Sequence, residues 1–159
     1  MKNPKIGFLP LYIKLYDDVG LADLHAQLAD FYEVLAKGFE KNGVEVVRSP
    51  ICCVKDEFKA AVDKFEAADV DCIVTWHAAY SPSLESIDVL AATKLPIVVL
   101  DTTIYYDGGP AVGGELINPN HGIHGVMDMT NLLMRRGKPY AIAAGHYPSS
   151  DVMDRVTGT

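Results

Sequence analysis

The chain has 159 residues, 49% of them hydrophobic, and its 14 Lys and Arg against 21 Asp and Glu give a formal charge of −7 at pH 7. That is one domain's length with apolar content enough for a core, which excludes a disordered segment. No run of Lys or Arg is long enough to follow a phosphate backbone, so nucleic acid and anionic membranes are poor partners. The cysteines, Cys52, Cys53 and Cys72, have neither zinc-knuckle nor Cys-x-x-Cys spacing and read as reduced, buried thiols of a cytoplasmic protein. No stretch approaches the ~20 apolar residues of a membrane span, and no export leader is expected.

In chain order, Lys5 to Ile13 is a dense apolar run suited to a strand buried on both faces, ending near Pro10. Leu24, Leu28, Phe31, Leu35 and Phe39 recur at helical spacing, and Asn42-Gly43 closes them. Residues 44–48 predict a second strand, and Phe58, Ala61, Val62 and Phe65 the inner face of a second helix. After a third strand at 71–76, Ser81 offers an N-cap oxygen with Pro82 at the first helical position, and Leu84, Ile87 and Leu90 carry the helix. Residues 96–100 predict a fourth strand. The stretch from Thr102 to Pro119, with Gly108-Gly109 and Gly113-Gly114, is long for a structureless loop and predicts a lid or a subunit contact.

Pro119 and its small polar neighbours then open a helix with Ile123, Val126, Met127, Leu132 and Leu133 at helical spacing, closed by Arg135-Arg136 and Gly137. Residues 140–144 predict a fifth strand. Ser149 to Asp151 begin one more helix with Val152, Met153 and Val156. We therefore expect an α/β domain over 1–148, with 149–159 starting the connection to a following domain. The alternation of strand and helix predicts a Rossmann-like (flavodoxin-like) three-layer domain with a five-stranded parallel sheet of order 2-1-3-4-5.

Ligands of such folds sit beyond the carboxyl ends of the strands. That rim receives Ile13, Lys14 and Tyr16 from strand one, Trp76, His77 and Tyr80 from strand three, Asp101 to Thr103 from strand four, and His146 and Tyr147 from strand five. His121 and His124 join it from the first turn of the helix after strand four, where free backbone N–H groups and the helix dipole favour a polar or anionic oxygen. Of the five histidines, only His25, inside the first helix, is expected elsewhere. Gly122 and Gly125 in the same turn, each costing up to ~1 kcal/mol relative to alanine, imply that something approaches the backbone closely.

The chemistry open to the rim is limited. His121-x-x-His124 could hold zinc only with a third or fourth ligand from His146, His77 or Asp101; it could serve simply as a helix cap; or its imidazoles could bind hydroxyl or carbonyl oxygens of a substrate. Tyr80 beside His77 and Trp76 suits stacking on the C–H face of a sugar, although core packing explains Trp76 equally well. Lys14 by itself reads as a solvated charge. No Gly-x-Gly-x-x-Gly, Gly-x-x-x-x-Gly-Lys or Gly-x-Ser-x-Gly motif is present, so dinucleotide, nucleoside-triphosphate and serine-hydrolase chemistry lack their signatures.

Three ordered blocks, Asp71-Cys-Ile-Val-Thr-Trp-His-Ala-Ala-Tyr-Ser-Pro-Ser-Leu-Glu85, Asn120-His-Gly-Ile-His-Gly-Val-Met-Asp-Met129 and Ala144-Gly-His-Tyr-Pro-Ser-Ser-Asp151, resemble the N-terminal domain of the L-fucose isomerase and L-arabinose isomerase family. The resemblance implies a ketol-isomerase that interconverts an aldose and a ketose through an ene-diol, using a divalent metal, typically manganese. It also implies that the metal ligands and acid/base carboxylates lie in later domains. This chain would then hold no catalytic residue and no metal, and would be inactive alone. The implied partners are a monosaccharide and further copies in a homo-oligomer, with the domain closing the sugar pocket of a neighbouring subunit.

Position by position, His124 matches the family histidine that faces the substrate, and His121 stands where arabinose isomerases carry glutamine. Tyr80 matches an aromatic next to the sugar, and Leu15 with Ile13 and Lys14 corresponds to a pocket-lining loop. With His77 beside Tyr80, these are the expected substrate-binding residues. The departures at His121 and at Lys14-Leu15-Tyr16 leave the particular sugar open, and the role of His146 stays open between structural and catalytic. The alternative is a free-standing flavodoxin-like, receiver-like or sugar-binding module without catalysis.

Overall fold

The structure is a computed structural model that describes residues 3–106 and 117–158. Five strands, β1 (Lys5–Leu11), β2 (Glu45–Arg48), β3 (Cys72–His77), β4 (Ile97–Asp101) and β5 (Tyr140–Ala144), form one sheet of order β2-β1-β3-β4-β5. Every pairing is parallel, as the alternation of elements predicts. The helices are α1 (Lys14–Asp18), α2 (Ala22–Lys41), α3 (Lys55–Ala67), α4 (Ser83–Ala92), α5 (Gly122–Arg135) and α6 (Val152–Gly158), with a 3-10 turn at Asn118–Asn120.

Side chains alternate across each strand, so the sheet feeds two cores. On one face Phe8, Val74, Trp76 and Leu100 meet Leu28, Tyr32, Leu35 and Phe39 of α2. On the other, Leu9, Leu11, Ile73 and Val99 meet Phe58 and Phe65 of α3, Ile87 and Leu90 of α4, and Val126, Met129 and Leu133 of α5. The helix expected after Ser149–Asp151 is α6, whose Val152, Met153 and Val156 are buried in the α2-side core. Among the described residues no helix is long and apolar enough to cross a membrane.

Two local features depart from expectation, while strand β1 ends at Leu11, near Pro10 as the sequence suggests. Its partner β2 has ended by then, Arg48 pairing with Phe8, so the N–H that proline lacks faces no strand. The five-residue α1 was not foreseen, being too short for a readable apolar period. Ser81 does not cap α4: the helix starts at Ser83, Pro82 is the extended residue before it, and the Ser81 hydroxyl is buried without a hydrogen-bond partner. At the end of α2, Gly43 takes φ +80°, the left-handed turn expected of Asn42-Gly43. The proposed lid or subunit contact rests on Gly108-Gly109 and Gly113-Gly114, which lie outside the described residues.

Register aligns the strand ends. Leu11 pairs with His77, Trp76 with Leu100, and Asp101 with Ala144, so the chain leaves β1, β3, β4 and β5 along one rim. Helices that follow these strands start there too.

Candidate functional site

Three separate segments meet at this rim. From β1 the chain passes Tyr12 and Ile13, the extended residue preceding α1, and turns into α1, which presents Lys14, Leu15 and Tyr16. From β3 it passes Ala78 and Ala79 to Tyr80, with Ala78 N–H donating to the Leu11 carbonyl at 2.9 Å and tying the two exits together. The third segment is the 3-10 turn and the start of α5, carrying His121 and His124. Asn120 pins this turn to the loop after β4: its Nδ2 donates to Tyr105 O at 3.3 Å, and its Oδ1 accepts from Tyr105 N at 3.4 Å.

The aromatic and imidazole rings form a row. Tyr80 lies 5.7 Å from His121 between ring centroids, tilted by 32°, and His121 lies 4.6 Å from His124 at 75°. Tyr16 Oη is 3.2 Å from His121 Nδ1. When the phenol donates to Nδ1, the other ring nitrogen of a neutral His121 carries the proton and presents a donor. Burial, and secondarily the neighbouring His124, hold the His121 pKa below its ordinary value, which favours that neutral form. The Tyr16 hydroxyl is pushed the other way by burial and then by Tyr80, so it stays a phenol. Neither histidine caps the helix: His121 occupies the N-cap position and makes no side-chain cap hydrogen bond.

The row can therefore offer oriented N–H and O–H groups beside a flat aromatic face, a combination suited to an uncharged polyhydroxylated molecule. Among the described residues no group of three or more His, Cys, Asp or Glu side chains is placed to hold a metal ion. Two grooves of similar size differ in their relation to this row. One of about 460 Å³ between α3 and α4, lined by Lys59, Asp63, Glu85 and Asp88 among others, includes none of the row's residues. The other, about 440 Å³, is lined by Leu21, Leu24, Gln27, Tyr105, Asn118 and Pro119 and reaches the turn that precedes His121.

The remaining expected residues fall into two sets. Ile13 is half-buried and Leu15 is 55% exposed on α1, while Lys14 is exposed with its ammonium held by Asp18 one turn on. His77 is placed beneath the row rather than in it. It is 2% exposed, with the first turn of α5 packed on it and neither ring nitrogen hydrogen-bonded. Desolvation lowers its pKa to about 3, against a smaller opposing pull from Asp128. Trp76 resolves to core: it stacks on Tyr32 and donates from Nε1 to Thr102 O at 3.0 Å. The His146 ring nitrogens lie against Ile104 O at 3.3 Å and Ser149 Oγ at 3.2 Å, contacts that tie down the loops after β4 and β5.

Two residues take roles that the sequence does not reveal. Tyr16 was placed on the rim but given no role, because nothing in its spacing reveals that α1 turns it toward His121. His25 was placed away from the rim, yet the first turn of α2 starts there. Its Nδ1 sits 3.0 Å from the Asp17 carboxylate, with its ring 5.0 Å from Tyr12, and so braces α1 from behind.

Comparison with known proteins agrees with the resemblance read from the three blocks. The family model described as L-arabinose isomerase N-terminal domain matches residues 1–158. The L-arabinose isomerase of Bifidobacterium animalis subsp. lactis (strain AD011) is 29% identical over 93 residues, a match that covers 57% of this chain and 18% of that protein. The chain belongs to the L-arabinose isomerase N-terminal domain family.

Proposed function

We propose that this chain is the substrate-pocket and oligomerisation domain of an aldose-ketose isomerase, with His121, His124 and Tyr80 touching an open-chain monosaccharide and Ile13, together with Lys14 and Leu15 of α1, walling it. In the reaction a proton leaves the carbon beside the carbonyl and returns to the former carbonyl carbon through an ene-diol, so the sugar's composition is unchanged. The role of this chain is to bind and orient: imidazole N–H groups donate to sugar oxygens, and the Tyr80 ring covers a C–H face.

The observation that carries this reading is the row itself: Tyr16, Tyr80, His121 and His124, brought together from three segments of a chain in this family. A divalent metal, manganese by resemblance, would polarise the carbonyl, but the described residues do not make a ligand set for it and no step here runs through it. We assign its ligands and the acid/base carboxylates to the remainder of the full-length protein, with a neighbouring copy completing the pocket. We place the protein in the cytoplasm, a reading supported by its three free thiols; burial pushes Cys52 up to about 12 and both Cys53 and Cys72 up to about 11, which keeps them protonated.

The test is His124→Ala in the full-length protein. The reading expects kcat/KM to fall about tenfold or more, equivalent to ~1.4 kcal/mol of transition-state binding, with bound metal unchanged. An unchanged kcat/KM would contradict it, as would isomerase activity of residues 1–159 alone.

A further inference from the structure

The two glycines of the first α5 turn are explained by His77. A Cβ at Gly122 would stand 2.6 Å from the His77 carbonyl oxygen, and one at Gly125 would stand 2.8 Å from His77 Nε2 and closer still to Cδ2. The helix thus rests on His77 twice, once on its backbone and once on its ring. His121 and His124 are carried by the same turn, one residue before each glycine. Both nitrogens of the His77 ring are buried without hydrogen-bond partners, an arrangement that costs stability and that an aliphatic residue would avoid.

We propose that His77 is a positioning residue, a seat whose flat ring sets the height of the first α5 turn and thereby the placement of His121 and His124. Interiors are packed densely enough that raising this turn by the width of a methyl group moves both imidazoles relative to Tyr16 and Tyr80. The link to sugar binding rests on the proposed function above; the seat itself does not.

The two glycines give opposite predictions under one substitution. Alanine favours a helix over glycine, so Gly125→Ala harms the fold only through the His77 ring. Gly125→Ala alone should lower Tm by about 5 °C or more for a chain of this size. In the His77→Ala background the same change should be neutral or raise Tm by about 2 °C, a reversal of sign. Gly122→Ala meets the His77 carbonyl, which every residue possesses, so His77→Ala should not rescue it. If Gly125→Ala does not accumulate folded, the comparison of His77→Ala with the His77→Ala/Gly125→Ala pair still reads the sign.

Placement is read separately, from the imidazole nitrogen resonances of His121 and His124. These should shift in Gly125→Ala and return in the double variant, while those of His146 stay fixed. L-Arabinitol, an open-chain polyol, is the binding probe, and its affinity should drop about tenfold in Gly125→Ala and recover in the double variant. Additive Tm effects, equal rescue of Gly122→Ala, or unmoved His121 and His124 signals would overturn the seat. Sign reversal and moved signals with no arabinitol binding by the unsubstituted full-length protein would uphold the seat and overturn the sugar reading instead.

Discussion

The first turns of α2 and α5 both lie at the carboxyl rim of the sheet, and both carry histidine, yet the imidazoles meet different surroundings. His25 on α2 has a carboxylate on Nδ1, from Asp17, and the Tyr12 ring at its side. Among the described residues the side chain of His121, at the N-cap of α5, is hydrogen-bonded to the Tyr16 hydroxyl alone, and that of exposed His124 makes no hydrogen bond, only the ring contact with His121. One turn satisfies its imidazole with protein groups and becomes a brace. The other leaves imidazole nitrogens without a protein partner among the described residues, as the proposed sugar contacts require. His77, in the layer below, is a third case, neither braced nor available.

The largest expected effect separates His77 from the rest. Its folded pKa of about 3 lies below the ordinary value of 6.5, so between those pH values the unfolded chain binds a proton that the folded chain does not. The stability contribution is complete above pH 6.5 and is lost as the pH falls toward 3, by up to about 1.4 kcal/mol per pH unit. Chemical denaturation of the unsubstituted chain and His77→Gln across pH 6 to 4 should show the steeper fall in the former; equal slopes would mean that His77 is not the buried neutral base described.

Next comes the comparison of the two turns. His124→Ala and His121→Ala should each weaken arabinitol binding by about threefold to tenfold, the worth of one lost hydrogen bond, with little change in Tm. His25→Ala should do the reverse, costing about 1 kcal/mol of stability through the lost Asp17 contact and leaving affinity intact once folded. A calorimetric pair of measurements, melting and binding, on these variants decides whether brace and donor are distinct. The smallest effect is expected at Lys14→Ala. Its ammonium is exposed and already held by Asp18, so Tm should not change measurably and arabinitol affinity should move by less than about twofold. A tenfold loss there would place Lys14 in contact with the sugar.

Most of the fold was readable because period and punctuation are local signals. The apolar runs of β1, β3 and β4, the heptad-like spacing in α2 and the Asn42-Gly43 turn each fix an element from a few neighbours. The site was half readable for the same reason. His121 and His124 are three residues apart on a helix start, and the strand-end rule put Tyr80 near them. What escaped was pairing across the chain. Tyr16 reaches His121 over 105 residues of sequence through a helix too short to announce itself. The parity of β3 puts His77 on the same face as Ile73, under α5, and Gly122 and Gly125 signalled a close approach. Joining the strand's parity to the helix's glycines required knowing that α5 crosses the end of β3.

The most direct measurement is the histidine imidazole nitrogen–proton spectrum of the full-length protein titrated with L-arabinitol. The His121 and His124 signals should move together and saturate, while those of His25 and His146 remain where they were. Stationary His121 and His124 signals, or all four histidines drifting alike, would contradict it.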